Sequence, residues 1–263
     1  MKKIIYLLII PLLFLQCSSD DDNGPKAYFP KKISIEPITN ILSNSKELIL
    51  TYNNNNLITT IEFVYFGTVN VNSFKEIQIA YTTNNDIKEI KSISLDNLES
   101  ITTINHDDFG IISQINFQSE DIGLKINANY NAQSNIYTLN GASAIFPITF
   151  NFDNNDVIHA IGGSAINNRN FHYNTQETGL FKDLRQQPEL IMWSEIFTFG
   201  SLNVNLNYLA PYKLEKITSQ FLNHRLYDNF EKDASENLIK FTDKVLGGGG
   251  ENQYSISYQY RNL

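Results

Sequence analysis

The 263-residue chain has a formal charge of −8, 18% charged residues and a single cysteine. An acidic balance argues against nucleic acid or anionic lipid headgroups as partners, and one cysteine rules out an internal disulfide framework. Asparagine occurs 34 times and aromatics make up 12% of the chain, a composition suited to amide-rich turns joining β-strands.

The first element is a leader. Met1-Lys2-Lys3 is a short positive segment, and Ile4 to Leu15 is apolar for about a dozen residues, the length of a signal-peptide core and short of a membrane span. Its end, Leu12-Leu13-Phe14-Leu15-Gln16-Cys17, resembles the lipobox of bacterial lipoproteins, although Gln16 stands where a small residue is usual. The resemblance implies cleavage before Cys17, a diacylglyceryl group on its thiol and further acylation such as palmitate. Two or more acyl chains hold a protein stably to a membrane without a spanning helix. Loss of Lys2 and Lys3 with the leader takes the charge from −8 to −10. Ser18-Ser19-Asp20-Asp21-Asp22 is similar to the acidic signal that sends Bacteroidetes lipoproteins to the outer face of the outer membrane. With Asn23-Gly24-Pro25 and Pro30 it reads as a flexible tether. The expected organisation is therefore signal peptide 1–16, lipidated tether 17–32 and one domain from 33 to 263.

Within that domain one pattern recurs: alternating apolar residues ending on an aromatic, a short stretch rich in Asn and Asp, then a resumed alternation. Leu48, Leu50 and Tyr52 precede Asn53–Asn56; Ile77, Ile79 and Tyr81 precede Thr82–Asp86. Leu124, Ile126 and Tyr130 precede Asn131–Asn135; Ile148, Phe150 and Phe152 precede Asp153–Asp156; Phe171 and Tyr173 precede Asn174–Gly179. Further copies include Val204-Leu206-Tyr208, Leu226 with Phe230, and Ile256-Tyr258-Tyr260, with a weaker one around His106–Gly110. Period-two alternation with turn residues between is the pattern of a β-hairpin. Spacings of about 21 to 35 residues accommodate two strands per copy, hence about sixteen strands in eight to nine hairpins. The fold class is all-β, an antiparallel meander curled into a barrel-like or trough-like shell. Aromatics at the same point of each hairpin are expected to stack across the sheet.

A barrel this wide leaves a lumen its own side chains do not fill. The filler expected is a short helix near 186–197, opened by Pro188 and carrying Leu190, Ile191, Trp193, Ile196 and Phe197 on the concave face. From about Ile33 onward, the pattern resembles the tyrosine-containing hairpin repeats of the YD and Rhs type. It is more closely similar to a family of Bacteroidetes lipoproteins with a porin-like fold. That resemblance implies a barrel-like shell and brings no activity with it.

Chemical motifs are sparse. His106, His159, His172 and His224 lack a second His or Cys at metal-ligand spacing, so no metal or other cofactor is expected. His106-Asp107-Asp108 places carboxylates beside an imidazole, suited to acid–base work, but also reads as a polar hairpin tip. Asp153-Asn154-Asn155-Asp156 offers oxygen ligands without the Gly and distal Glu of a calcium loop. Gly247–Gly250 lacks the Lys and Ser or Thr of a phosphate loop and reads as a flexible connection. No catalytic residues are assigned; Cys17, as lipid attachment point, is the one site residue. The expectation is a surface-displayed, non-enzymatic binding or structural module with a glycan or protein as ligand. The alternative is a hydrolase of extracellular polymers, whose paired carboxylates would leave no linear trace. A small pore would require an apolar outward band and a polar lumen.

Overall fold

The computed structural model describes residues 29–39, 44–69, 73–143, 145–153, 157–163, 168–179, 188–197, 212–219, 224–247 and 250–260. The lipobox, the acidic tether and Val204-Leu206-Tyr208 lie outside them. The first eight strands are β1 (Pro30–Pro37), β2 (Ser45–Tyr52), β3 (Ile58–Phe66), β4 (Phe74–Tyr81), β5 (Ile87–Ser94), β6 (Glu99–His106), β7 (Ile112–Gln118) and β8 (Gly123–Asn131). Then come β9 (Ile136–Gly141), β10 (Ile148–Phe152), β11 (Ile158–Gly163), β12 (Arg169–Thr178), the helix α1 (Pro188–Phe197), β13 (Tyr212–Ser219), β14 (His224–Lys232), β15 (Leu238–Gly247) and β16 (Gly250–Tyr260).

Each strand pairs antiparallel with its neighbours in the chain, and β1 seals against β16 to close a sixteen-strand barrel. The seam is in register from Ile33 opposite Tyr258 to Pro37 opposite Tyr254. In such a meander all even-numbered strands end at one rim, the turn rim, and all begin at the other, the far rim.

Alternation decides the two faces. Ile33 and Ile35, Leu48 and Leu50, Ile61 and Phe63, Ile77 and Ile79, Ile115, Ile126 and Leu139 are buried and belong to one apolar cluster. Most of the positions that alternate with them are polar, among them Lys32, Glu47, Glu62, Gln78, Lys91, Thr103 and Asn127, with Ile49 and Ile101 as apolar exceptions. Cross-strand pairs lace this outer face, with Lys32 2.7 Å from Glu47 and Gln114 donating to Asn127 at 3.2 Å. The apolar face therefore points inward and the amide-rich face outward, the reverse of a barrel that meets lipid.

Five turns of the turn rim share one design. Asn53–Leu57, Thr82–Asp86, Asp107–Ile111, Asp153–Val157 and Asp233–Asn237 each have the first N–H donating to the last carbonyl. In each, a side-chain oxygen of the first residue also accepts from the last residue's N–H. This is why Asn, Asp or Thr opens every copy. In the four copies whose fourth residue is described, it has positive φ: 60° at Asn56, 69° at Asn85, 78° at Gly110 and 63° at Glu236. Asn and Gly tolerate that conformation; Glu236 adopts it against its preference.

Three of the turn-entry tyrosines donate a hydrogen bond to the strand before their own. The hydroxyl of Tyr52, the last residue of β2, donates to the carbonyl of Pro30, the first of β1, at 2.6 Å. Tyr81 does the same to Ile58 at 2.5 Å and Tyr260 to Leu238 at 2.6 Å. A register shift just before the last residue recurs in β2, β4, β6 and β10. Each tyrosine thus fastens the strand before its own, a net gain of about 1 kcal/mol per bond.

One expectation needs correction. Asn174–Gly179 is not a hairpin turn: β12 runs on to Thr178, absorbing the extra residues in a register shift between Asn174 and Thr178. Of the Gly247–Gly250 run read as a flexible connection, Gly247 ends β15 and faces Gly250, which begins β16; residues 248–249 lie outside the described residues. β1 starts at Pro30, within the stretch read as tether, and Phe29 is buried.

The expected helix is present as α1. Seven of its ten residues are buried, including Leu190, Ile191, Met192, Trp193 and Ile196. A helix buried all round lies inside a core rather than on its surface, and α1 occupies the lumen.

Candidate functional site

Two groups of polar side chains point into this apolar lumen. The first fixes α1. Pro188 opens the helix, and Glu189 in the first turn favours the positive end of the helix dipole. Its carboxylate lies 3.1 Å from Nε2 of His106, with both side chains 9% exposed. His106 is the last residue of β6, where β2, β4 and β16 carry their latching tyrosine. The hydrogen bond to Glu189 raises the His106 pKa against the opposing effect of burial, and Asp86 and Asp107 add to the rise. One turn along the helix, the indole Nε1 of Trp193 donates to Thr102 Oγ1 at 3.0 Å, wholly inside the protein. Glu195 pairs with Arg169 at the start of β12, and Phe197 stacks on Phe117 near the end of β7 with ring centres 4.5 Å apart. The helix therefore runs from the turn rim toward the far rim.

The second group is drawn from β2 and from β12 to β16, on either side of the seam. Lys46, second residue of β2, faces inward in line with Leu48 and Leu50 and is 7% exposed. Burial, with a smaller push from the Arg225 guanidinium, brings its pKa down from 10.5 to about 7. No hydrogen bond or ion pair joins Lys46 to another described residue. Arg225, second residue of β14, donates from Nη1 to Asp243 Oδ2 at 2.8 Å, and the Asp243 side chain is 1% exposed. Tyr227 stands opposite Asp243 in the β14–β15 register. The ring of Tyr258 lies 6.0 Å from that of Phe241. Burial raises the pKa of the phenols of Tyr173, Tyr227 and Tyr258. The hydroxyls of Tyr173 and Tyr258 are buried and have no hydrogen-bond partner among the described residues.

Known proteins bear on this arrangement through its shape. A crystal structure of a porin-like protein from Bacteroides uniformis superposes on it with a TM-score of 0.53, covering 88% of this chain and 98% of that one at 11% identity. The fold is a porin-like barrel. A Photorhabdus luminescens Tc holotoxin pore also matches, at 10% identity over 84% of this chain and 9% of that one, with a TM-score of 0.28 too low to bear on the fold. No family model and no curated protein matches the sequence.

The structure scatters the histidines singled out in the sequence. His106 turns away from its neighbour Asp107, whose carboxylate accepts from Phe109 and Ile111 N–H to hold the hairpin tip. His159 is half exposed, 3.9 Å from Asp153. His172 meets Thr218, and His224 accepts from the Ser219 N–H. Asp153 likewise closes its own turn onto Val157; Asn154 to Asp156 lie outside the described residues. Among those residues no three metal-ligating side chains converge. Sequence reasoning missed Glu189, Lys46, Arg225 and Asp243. The one local signal was charge at positions that alternation assigns to the apolar face, as with Lys46 two places before Leu48.

Proposed function

We propose that the chain is an outer-membrane lipoprotein, anchored through lipid on Cys17 and displayed at the cell surface, whose barrel is a non-enzymatic binding or structural module for a glycan or protein partner. The observation that carries this reading is the inverted polarity of the barrel. Its outer strand faces are charged and amide-rich, while its lumen is apolar and holds a helix. A shell of that kind is at home in water and needs a tether to stay at a membrane; Cys17 behind its leader supplies one. The acidic Ser18–Asp22 segment supports the surface destination. The buried carboxylates Glu189 and Asp243 each face a basic side chain, His106 and Arg225, which favours structural pairing over hydrolysis.

The test separates anchor from barrel. The full-length chain is expected to incorporate palmitate and to stay with the outer membrane, and Cys17→Ser to lose both properties. A chain starting at Ala27 is expected to be monodisperse without detergent. A detergent requirement for that shortened chain would overturn the tethered-barrel reading, and resistance of the anchored chain to protease on intact cells would overturn surface display.

A further inference from the structure

The outer face of the barrel is not uniform. Across β6 to β9 a row of four side-chain amides runs perpendicular to the strands: Asn105 stands opposite Gln114, Gln114 opposite Asn127 and Asn127 opposite Asn140. They alternate with the buried Ile104, Ile115, Ile126 and Leu139, so they point outward. The row toward the far rim holds Thr103, Asn116 and Lys125, and the row toward the turn rim Asn129, Thr138 and Thr149. Of these ten side chains Lys125 alone is charged. The walls beside the panel differ: β2 to β5 turn outward Glu47, Glu62, Glu76, Glu89 and Lys91, and β14 and β15 carry the ion pairs Lys244–Asp228 and Lys240–Glu231. Little of the amides' hydrogen-bonding capacity is used internally. Gln114 donates to Asn127 at 3.2 Å and Asn140 to the Thr138 carbonyl at 3.5 Å, while no hydrogen bond between described residues engages the side chains of Asn105, Asn116 or Asn129.

We propose that this panel binds a linear, uncharged polysaccharide lying along the amide row across β6 to β9. The inference rests on the reading of the barrel as a binding module, and adds the face and the chemistry of the partner. Neighbouring strands set the amides about 4.8 Å apart, comparable to the length of one pyranose along an extended glycan, so successive sugars meet successive amides. Each amide offers two N–H donors and a carbonyl acceptor, the complement of sugar hydroxyls. Charge separates this ligand from others: a nearly uncharged panel draws in neither an acidic nor a basic polymer, and an uncharged polymer gives up no hydrated charge on binding. A protein partner is less suited, because the cores of protein interfaces are enriched in aromatic side chains, Met and Arg, none of which stands in these three rows.

The full-length chain in mild detergent tests this by its depletion from solution onto insoluble cellulose, mannan and chitin, with calcium-set polygalacturonate as the acidic comparison. At least one of the three neutral glycans is expected to bind saturably, and polygalacturonate is not. Asn127→Asp keeps the shape of the side chain and puts a charge in the middle of the row; it is expected to keep the barrel's circular dichroism and weaken binding by about fivefold or more, the loss of one hydrogen bond. The same change of amide to carboxylate on the charged wall, Gln78→Glu, is expected to leave binding unchanged. Photocrosslinking from benzoylphenylalanine in place of Asn127, on the anchored chain in cells, is expected to give no protein adduct. The inference is overturned if none of the three neutral glycans binds, if polygalacturonate binds as tightly as they do, if Asn127→Asp binds like the parent, or if a discrete protein adduct forms. The last two outcomes leave the binding-module reading in place with another face or another partner, so the two can fail separately. The glycan comparison uses the unsubstituted chain and stands whatever a variant does.

Discussion

The barrel wall that holds α1 and the wall around the seam bury polar groups in opposite ways. Beside the helix, each such group is satisfied: His106 by Glu189, Thr102 by Trp193, Ser194 by the Ile191 carbonyl. At the seam, the Tyr258 hydroxyl is buried with no hydrogen-bond partner among the described residues, and Lys46 is a buried residue on the apolar face. A paired buried group adds specificity at little net cost, whereas an unpaired one is a standing penalty. The first wall is built to hold its filler, and the second carries polar groups that add no such hold.

The comparison is tested most severely by Trp193→Ala. Loss of a fully buried indole and its bond to Thr102 is expected to destabilise the barrel by about 3–5 kcal/mol, read as a lower denaturant midpoint by far-ultraviolet circular dichroism. An unchanged midpoint would mean that the helix is not part of the core.

Lys46→Met is expected to act in the opposite direction, raising stability at neutral pH by about 1–4 kcal/mol because an apolar side chain of similar length replaces an isolated charge. The lysine also has a pH signature. Its folded pKa is about 7 against 10.5 unfolded, so the unfolded chain holds the extra proton between those values. Stability contributed through this group therefore rises with pH from about 7 to 10.5. Lys46→Met should abolish that rise.

Glu189→Gln is expected to cost about 1.5–3 kcal/mol at pH 6, the loss of a charged hydrogen bond. His106 titrates above its ordinary 6.5 when folded. Its contribution is complete below that value and is lost as pH climbs through the raised folded pKa, a slope opposite to that of Lys46. Denaturation midpoints of the variant should lack this slope. The smallest effect expected is that of Tyr81→Phe, about 1 kcal/mol from the bond to the Ile58 carbonyl; equal stability of the two proteins would show that the latch is worth nothing.

Much of the scaffold was legible because its determinants are local. Alternation identified the strands, Pro188 with its apolar neighbours marked the helix, and Asn53, Thr82, Asp107 and Asp233 each open their turn through their own side chain. Asn174–Gly179 misled because its amide-rich composition matches a turn, whereas a register slip against β13 keeps it in a strand. The sites were hidden for a different reason. His106 meets Glu189 only when the helix enters the barrel, and Lys46 comes into one row with Ile256 only when β1 closes on β16. Spacing along the chain carries no trace of either encounter.

Joining the first strand to the last also governs how the molecule is made. A chain emerging from its amino end exposes the open edge of β1 through the whole of synthesis, since its second partner is the final strand to appear. Everything in between is an unfinished ribbon with two bare hydrogen-bonding margins, the form most prone to pair with another copy. A stop codon before Gly250 would leave those margins bare for good, so even a short loss at the carboxyl end should yield aggregate instead of a slightly smaller barrel.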